Sequence, residues 1–270
     1  MPKRIPGSLF LRNLVEKRSL VAQLVRRDFE QRFVGSAVGW VWGLIHPLVQ
    51  LLSWVFLFQI VLKVPLRSGE VTQNYPLFLF AGMLPWFLFS DTVQRSASSI
   101  LDQANLITKT VFPAEIVPVS VFLSSLVSHC LALALMIAAA GVFLNQVSFF
   151  LILLPVYTLV TGLLAVGLGW VVAGLHVFLR DTGQVLSVVL TFWFFSTPIM
   201  APEDQYPHWA QALLAANPLA YLVRAYRGLL LTSHTPDGGD LLIAAVYGAG
   251  VFVLGGLFFR RIKRGFADVL

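Results

Sequence analysis

The most restrictive feature of this sequence is a stretch of 64 residues, Ile116 to Leu179, that contains no Asp, Glu, Lys or Arg. A helix needs about 20 apolar residues to cross a hydrocarbon core of about 30 Å, so this stretch can hold two membrane crossings. Its strongly polar pair, Asn145-Gln146, is where we predict that the chain turns. Only 12% of the whole chain is charged, against roughly 25% in soluble domains. A soluble globular protein and a disordered chain are both excluded, and we predict an all-α polytopic membrane protein.

Charge-free runs predict six transmembrane helices within a single domain, residues 1–270. The predicted spans are residues 38–62, 75–94, 117–144, 149–178, 183–201 and 240–259. Within the segment 203–227, the stretch from Gln205 to Val223 is also uncharged, but it contains Pro207 and Pro218. Proline frees backbone groups that lipid cannot satisfy. We therefore expect short helices that dip into the outer interface between the fifth and sixth spans, and not a seventh crossing.

The basic residues are distributed unevenly between the two sides of these spans. Of the 19 Lys and Arg residues, 15 lie on the side of the chain termini and 4 on the other side. Short loops rich in Lys and Arg stay in the cytoplasm. We therefore expect both termini in the cytoplasm, and the net charge of +6 reflects membrane topology and does not indicate nucleic-acid binding.

The N-terminal segment, residues 1–37, has the pattern of an amphipathic helix at the membrane surface. Apolar residues recur at helical spacing, with basic residues around them that include Arg26, Arg27 and Arg32. Such a helix lies in the interface plane with its apolar face in the lipid. The alternative is that it merely anchors the first span.

No constellation for catalysis, metal binding or ion coupling is evident in the sequence. The histidines do not pair at the i, i+4 spacing of a helical metal site, and His129 and His176 are expected to be buried and hydrogen-bonded. A single cysteine, Cys130, allows no disulfide within the chain. Acidic residues are nearly absent from the spans, which argues against proton coupling. There is no phosphate-binding loop of the form GxxxxGK[ST], so any ATP must be bound by another subunit.

Aromatic residues are abundant in the first, second and fifth spans. Rings near the ends of spans usually anchor a protein in the interface, and the alternative is that some of them line a conduit for sugars. The conduit candidates are Trp42, Phe56, Trp86, Phe87, Phe192, Trp193 and Phe195.

The loop between the second and third spans contains a partly apolar segment at residues 99–109. A short helix there would be a docking site for a cytoplasmic partner, although a capped surface turn fits the pattern equally well. The candidate docking residues are Ser99, Asp102, Asn105, Leu106, Ile107 and Lys109.

Six motifs, in this order and topology, resemble the membrane subunit of ABC-2 type polysaccharide exporters, the family of the O-antigen, capsular and teichoic-acid export permeases. The resemblance covers nearly the whole chain. The motifs are Arg32 to Trp42 before His46-Pro47, Phe80 to Trp86, Asn105 to Lys109 followed by Phe112 to Pro118, Arg180-Asp181, Ser196 to Ile199, and Asn217-Pro218 before Arg224.

The resemblance implies a homodimer of six-span subunits in the bacterial inner membrane, joined in the cytoplasm by two ATPase subunits that hold ATP and Mg. The substrate would be a lipid-linked glycan, with O-antigen favoured over capsule, teichoic acid or another amphiphile. Residues 99–109 would couple to the ATPase, and Arg26, Arg27 and Arg32 would lie beside lipid pyrophosphate. Spans one and five would form the dimer face. The outer gate would include Trp209, Asn217, Pro218 and Tyr221. The competing class is a polytopic membrane transferase, which would need the intramembrane polar groups that the sequence lacks.

Overall fold

The computed structural model describes residues 17–32, 36, 38–63, 74–109, 112–145, 148–232 and 236–268. Within these ranges the chain is helical and contains no β-strand. Its α-helices are α1 (Arg18–Gln31), α2 (Trp42–Trp54), α3 (Tyr75–Asp102), α4 (Ala104–Lys109), α5 (Ile116–Leu144), α6 (Leu154–Phe178), α7 (Thr182–Phe195), α8 (His208–Ala216), α9 (Pro218–Leu231) and α10 (Gly238–Ile262). A π-helical segment, Val55–Val61, continues α2, and 3-10 turns occupy Gly39–Val41, Phe149–Leu153, Glu203–Gln205 and Lys263–Asp268.

Several of these helices are long and apolar enough to cross a membrane. Four segments of the described chain meet that standard: Tyr75–Asp102, Ile116–Leu144, Phe149–Phe178 and Gly238–Phe266. Two shorter apolar helices, Ile45–Val61 and Thr182–Phe195, occupy the positions of the predicted first and fifth spans. The prediction of an all-α, multi-pass membrane protein is confirmed, whereas the count of six crossings stays a prediction.

Local sequence explains where two of the long helices begin and end. The side chain of Asn74 accepts a hydrogen bond from the backbone N–H of Leu77 and caps α3, with Pro76 in the first turn. This is the usual helix start, since proline needs no donor there. Helix α5 ends where Asn145 takes a left-handed conformation with φ of 52°. Asn tolerates this conformation better than most residues do.

Helix α3 forms the centre of the molecule. It packs against α5, α6 and α9, and Phe80, Leu84 and Phe89 on it are completely buried. Helices α7 and α10 instead leave large apolar side chains exposed, such as Phe192 and Leu254. Exposed apolar faces of this size on a membrane protein must meet lipid or another protein.

Helix α10 packs closely against α6, and a proline-rich segment connects it to α7. A Cβ added at Gly255 of α10 would overlap the backbone of Gly167 in α6, so glycine lets these two helices approach closely, as small residues do within membranes. Between α7 and α10 the chain forms α8 and the almost completely buried α9.

Helix α1 packs Val21 and Leu24 against Ile116 at the start of α5. Residues 1–16 of the predicted N-terminal helix lie outside the described residues.

Candidate functional site

Four charged side chains of alternating sign join α1 to α3. Arg95 Nη2 lies 2.5 Å from Asp28 Oδ1 and Arg32 Nη2 lies 3.2 Å from Asp91 Oδ2. The cross pairs are longer, at 3.7 Å for Arg95–Asp91 and 3.9 Å for Arg32–Asp28. We call these four residues the charge cluster. Arg32, Asp28 and Arg95 are about one-quarter exposed or less, while Asp91 is 39% exposed. Because most of the cluster is shielded from solvent, it fixes α1 onto the central helix more firmly than a fully exposed ion pair would.

The sequence contained a signal for this cluster that our sequence reasoning missed. Both pairs have the spacing Asp-x-x-x-Arg, Asp28 with Arg32 and Asp91 with Arg95, which puts opposite charges on one face of each helix. Of the three arginines that the sequence analysis assigned to the interfacial helix, only Arg32 belongs to the charge cluster. Arg26 is exposed and pairs with Glu30 at 2.7 Å within α1, and Arg27 is also exposed.

A cavity of about 360 Å³ opens beside the charge cluster, between α2, α3 and α5. Arg32 and Asp91 form its floor together with Ser125 and Ser128. Its remaining lining residues are Trp42, Gly43, His46, Pro47, Gln50, Leu84, Phe87, Leu88, His129 and Ala132. The first of the motifs, from Arg32 to His46-Pro47, therefore contributes to the wall of one cavity.

Next to this cavity, a buried hydrogen-bond network joins α5, α6 and α9. The Tyr226 hydroxyl lies 3.1 Å from His129 Nε2 and 2.9 Å from Thr158 Oγ1. His129 is 4% exposed, and the expectation that it is buried and hydrogen-bonded holds. His176 differs, because its Nδ1 has no hydrogen-bond partner within the described part of the chain.

At the predicted outer end, Asn217 connects two of the sequence motifs. Its amide oxygen accepts from Trp193 Nε1 at 3.0 Å and from the backbone N–H of Leu219, which caps α9. Its amide nitrogen donates to Thr197 Oγ1 at 2.9 Å. The Asn217-Pro218 motif is thus bound to the end of α7. The two segments are about 20 residues apart in the sequence, which does not predict that they meet.

Arg224 fastens the same outer region by ion pairs. Its guanidinium lies 2.6 Å from Glu203 and 2.5 Å from Asp240. Burial lowers the pKa of Arg224, but the hydrogen bonds that it donates to the carboxylates of Glu203 and Asp240 outweigh burial and raise the pKa above its ordinary value. Arg224 therefore stays charged and ties the Glu203–Gln205 turn and the first turn of α10 to α9.

The predicted conduit aromatics separate into exposed and packed groups. Phe192 is 74% exposed, and Phe56, Phe195 and Trp42 are also exposed. Trp86 is buried, with its ring centroid 5.4 Å from that of Phe194. Phe87 and Trp193 are half-buried. Only part of this set is therefore exposed, as residues that line a conduit would have to be.

The predicted docking residues lie at the end of α3 and on α4. Ser99 is buried inside α3, where its hydroxyl donates to the Ser96 carbonyl oxygen. Asp102 ends α3, and Asn105 on α4 is exposed. Leu106 and Ile107 are half-buried, with Ile107 packed against a hydrophobic cluster. Lys109 ends α4, and its side chain lies outside the described residues.

Among the predicted gate residues, Trp209 on α8 is 73% exposed. Pro218 is the first residue of α9, and Tyr221 donates its hydroxyl to the Ala215 carbonyl oxygen at 2.7 Å. These two residues therefore help to fix the corner between α8 and α9. Within the described residues no group of three His, Cys, Asp or Glu side chains could hold a metal ion.

Comparison with known proteins gives a match over most of the chain. The family model for the ABC-2 type transporter matches residues 19–231. An O-antigen export system permease protein of Myxococcus xanthus is 30% identical, over 96% of this chain and 98% of that protein. A protein of the same description from Klebsiella pneumoniae is 27% identical, over 93% and 95% of the two chains. A polysialic acid transport protein of Escherichia coli is 24% identical over 89% of this chain and 92% of its own.

Proposed function

The chain belongs to the ABC-2 type transporter family, and on this premise we propose that it is the transmembrane subunit of an ATP-driven exporter of lipid-linked polysaccharide. The glycan favoured is of the O-antigen type, moved outward from the cytoplasm across the bacterial inner membrane. The observation that carries the proposal is the end-to-end match to an O-antigen export permease at 30% identity. A match of this length shows similarity to that permease along nearly the whole chain and not only at a single motif.

The source of energy in this proposal is a second kind of subunit. The chain has no phosphate-binding loop of the form GxxxxGK[ST], and its partly shielded acids Asp28 and Asp91 are already paired with Arg95 and Arg32. A proton or ion that crosses a membrane needs a partner of its own. Two ABC ATPase subunits would therefore bind ATP and Mg, and this chain would carry no cofactor.

Residues at the end of the central helix are suited to receive that energy. Helix α4 follows α3 after a single residue, Gln103, so a force on α4 would reach the centre of the bundle directly. We place the ATPase contact on Asp102, Asn105 and Leu106, which lie on or beside α4. The charge cluster would pass the movement on to α1, since Arg95 lies on the same helix α3.

The proposed membrane arrangement has six crossings with both termini in the cytoplasm. The positive-inside distribution of charge supports this orientation. The exposed apolar faces of α2 and α7 would meet a second copy of the chain to form a homodimer, and exposed aromatics such as Phe56 and Phe192 would line the path between the copies. Helices α8 and α9 would then form the outer gate.

The test of this function is a strain that lacks the chain. We expect undecaprenyl-linked glycan to accumulate inside the cell and surface glycan to disappear, and both changes to be reversed by the wild-type chain but not by an empty vector. Normal surface glycan in the deletion strain would overturn the proposal.

Capsule export is the second candidate, favoured by the similarity to a polysialic acid transport protein. The two candidates differ in the glycan that accumulates, and not in the mechanism. Chemical analysis of the trapped glycan separates them, because an O-antigen chain and a capsular chain differ in sugars and in the lipid at the reducing end.

A further inference from the structure

The cavity between α2, α3 and α5 has the size of a small-ligand site. Its volume of about 360 Å³ lies near the lower end of the range for such pockets, roughly 300–1,000 Å³. A lipid-linked glycan chain is far larger than this, so the cavity can receive only a small part of it. The nature of that part follows from the side chains of the floor and of the wall.

The floor of the cavity is electrically neutral. Arg32 donates to Asp91 at 3.2 Å and to the hydroxyls of Ser125 and Ser128 at 3.2 and 3.1 Å. Ser125 in turn donates to Asp91 at 2.6 Å. A phosphate or carboxylate would have to compete with Asp91 for Arg32 and would lie beside the Asp91 carboxylate, where like charges repel. The floor therefore favours an uncharged ligand.

The wall formed by α2 offers polar groups that are not already used. Trp42, His46 and Gln50 follow one another at four-residue spacing, so they lie on one face of the helix. The indole and imidazole ring centroids are 5.4 Å apart. Within the described ranges the Gln50 amide has no hydrogen-bond partner. An amide and a neutral imidazole each both donate and accept.

Gly43 and Pro47 of α2 also line the cavity. Pro47 has no N–H, so the carbonyl of Gly43, four residues earlier in α2, loses its usual helical donor. Both residues line the cavity, and Gly43 has no side chain to cover its carbonyl. The motif His46-Pro47 therefore leaves one backbone carbonyl of α2 without its usual helical donor, on a residue that lines the cavity.

These features together match the chemistry of one sugar ring. A neutral sugar presents hydroxyls that both donate and accept, together with an apolar C–H face. The amide, imidazole and carbonyl suit the hydroxyls, while the indole face of Trp42 suits the C–H face. We infer that this cavity is a binding subsite for a single neutral sugar residue; the identification of the exported glycan as its source rests on the proposed function.

Binding can be measured on the purified full-length chain in lipid nanodiscs by saturation-transfer NMR. The probes are the methyl glycosides of glucose, galactose, mannose and N-acetylglucosamine, each compared with the 1-phosphate of the same sugar. At least one neutral glycoside is expected to bind in the millimolar range, and its 1-phosphate is expected to bind more weakly because of the neutral floor.

Two substitutions in the wall assign the binding to this cavity. Trp42→Ala removes the ring face and Gln50→Leu removes the amide while keeping its approximate shape, and each is expected to weaken binding about tenfold. Phe149→Ala is the matched control, because Phe149 is 82% exposed and is not among the residues that line the cavity. Monodisperse elution of each variant shows that it is folded.

Three results would overturn the subsite: no glycoside binds, the 1-phosphate binds at least as tightly as its neutral counterpart, or both wall variants bind like the wild type. The deletion strain separates this outcome from failure of the proposed function. If the wild-type chain restores surface glycan while no glycoside binds, only the subsite is wrong. If deletion leaves surface glycan normal, the proposed function itself is wrong.

Discussion

Gly82 of α3 lies directly against the guanidinium of Arg227, so that a Cβ at this position would be 2.8 Å from Nη2. Arg227 is 6% exposed. It donates to the carbonyl oxygens of Phe78 at 3.2 Å, Pro198 at 2.7 Å and Ile199 at 2.5 Å, and it stacks 3.6 Å from the Phe78 ring centroid. The absence of a side chain at Gly82 therefore makes room for the residue that joins α3, the turn after α7, and α9.

We predict that Gly82→Ala destabilises the protein by about 1–3 kcal/mol, because the added methyl group must displace a well-packed guanidinium. The measurement is the free energy of unfolding of the purified chain in detergent. Gly250→Ala is the matched control, since a Cβ there meets nothing within 4 Å, and it should be neutral or slightly stabilising in a helix. Equal effects of the two substitutions would contradict the role given to Arg227.

The charge cluster predicts energetic coupling between α1 and α3. Asp28 and Arg95 lie 2.5 Å apart and are about one-quarter exposed. A double-mutant cycle with Asp28→Asn and Arg95→Gln should give a coupling energy of about 1 kcal/mol or more. Asp28→Asn is also expected to reduce export, because it loosens α1 from the helix that leads to the ATPase contact.

The control cycle uses Arg26→Gln and Glu30→Gln, an ion pair of similar length on the exposed face of the same helix. Little or no coupling is expected there, since water screens the pair and both side chains remain mobile. If the two cycles give the same coupling energy, the cluster adds nothing to an ordinary surface pair.

The fold class and the family could be predicted because they depend on features that the sequence displays directly. The uncharged stretch from Ile116 to Leu179 required apolar helices, and Asn145 interrupts it where α5 ends. The order of the motifs correctly predicted the ABC-2 type family. Proline in residues 203–227 similarly predicted short helices, although their role as a gate stays a prediction.

The contacts inside the candidate site could not be predicted in the same way. Asn217 binds Thr197 and Trp193, and Arg227 binds the Pro198 carbonyl, across a connection whose path depends on packing. Periodicity describes the face of one helix and does not identify which other helix it meets. The serines that complete the cavity floor are unremarkable in sequence and become informative only beside Arg32 and Asp91.

Leu106 provides the test of coupling to the ATPase. Leu106→Asp should leave ATP hydrolysis by the complex largely intact while export falls about tenfold or more, because a charge would enter an apolar contact. Leu106→Met is the matched control and should preserve both activities. Ile107→Asp is less informative, because Ile107 also packs against the hydrophobic cluster around Phe266 and its loss would destabilise the chain. Unchanged export by Leu106→Asp would give α4 a passive role.

The predicted orientation can be tested with single cysteines at two exposed positions, Asn105 on α4 and Gln205 in the turn before α8. The native Cys130 is exposed, so it is first replaced by serine. The buried Ser99 is unsuitable as a probe, since its side chain is inaccessible from either side. With an impermeant maleimide on spheroplasts, Gln205→Cys should react at once and Asn105→Cys only after permeabilisation, because positively charged segments remain in the cytoplasm. The reverse order of labelling would invert the topology and would separate α4 from any cytoplasmic ATPase.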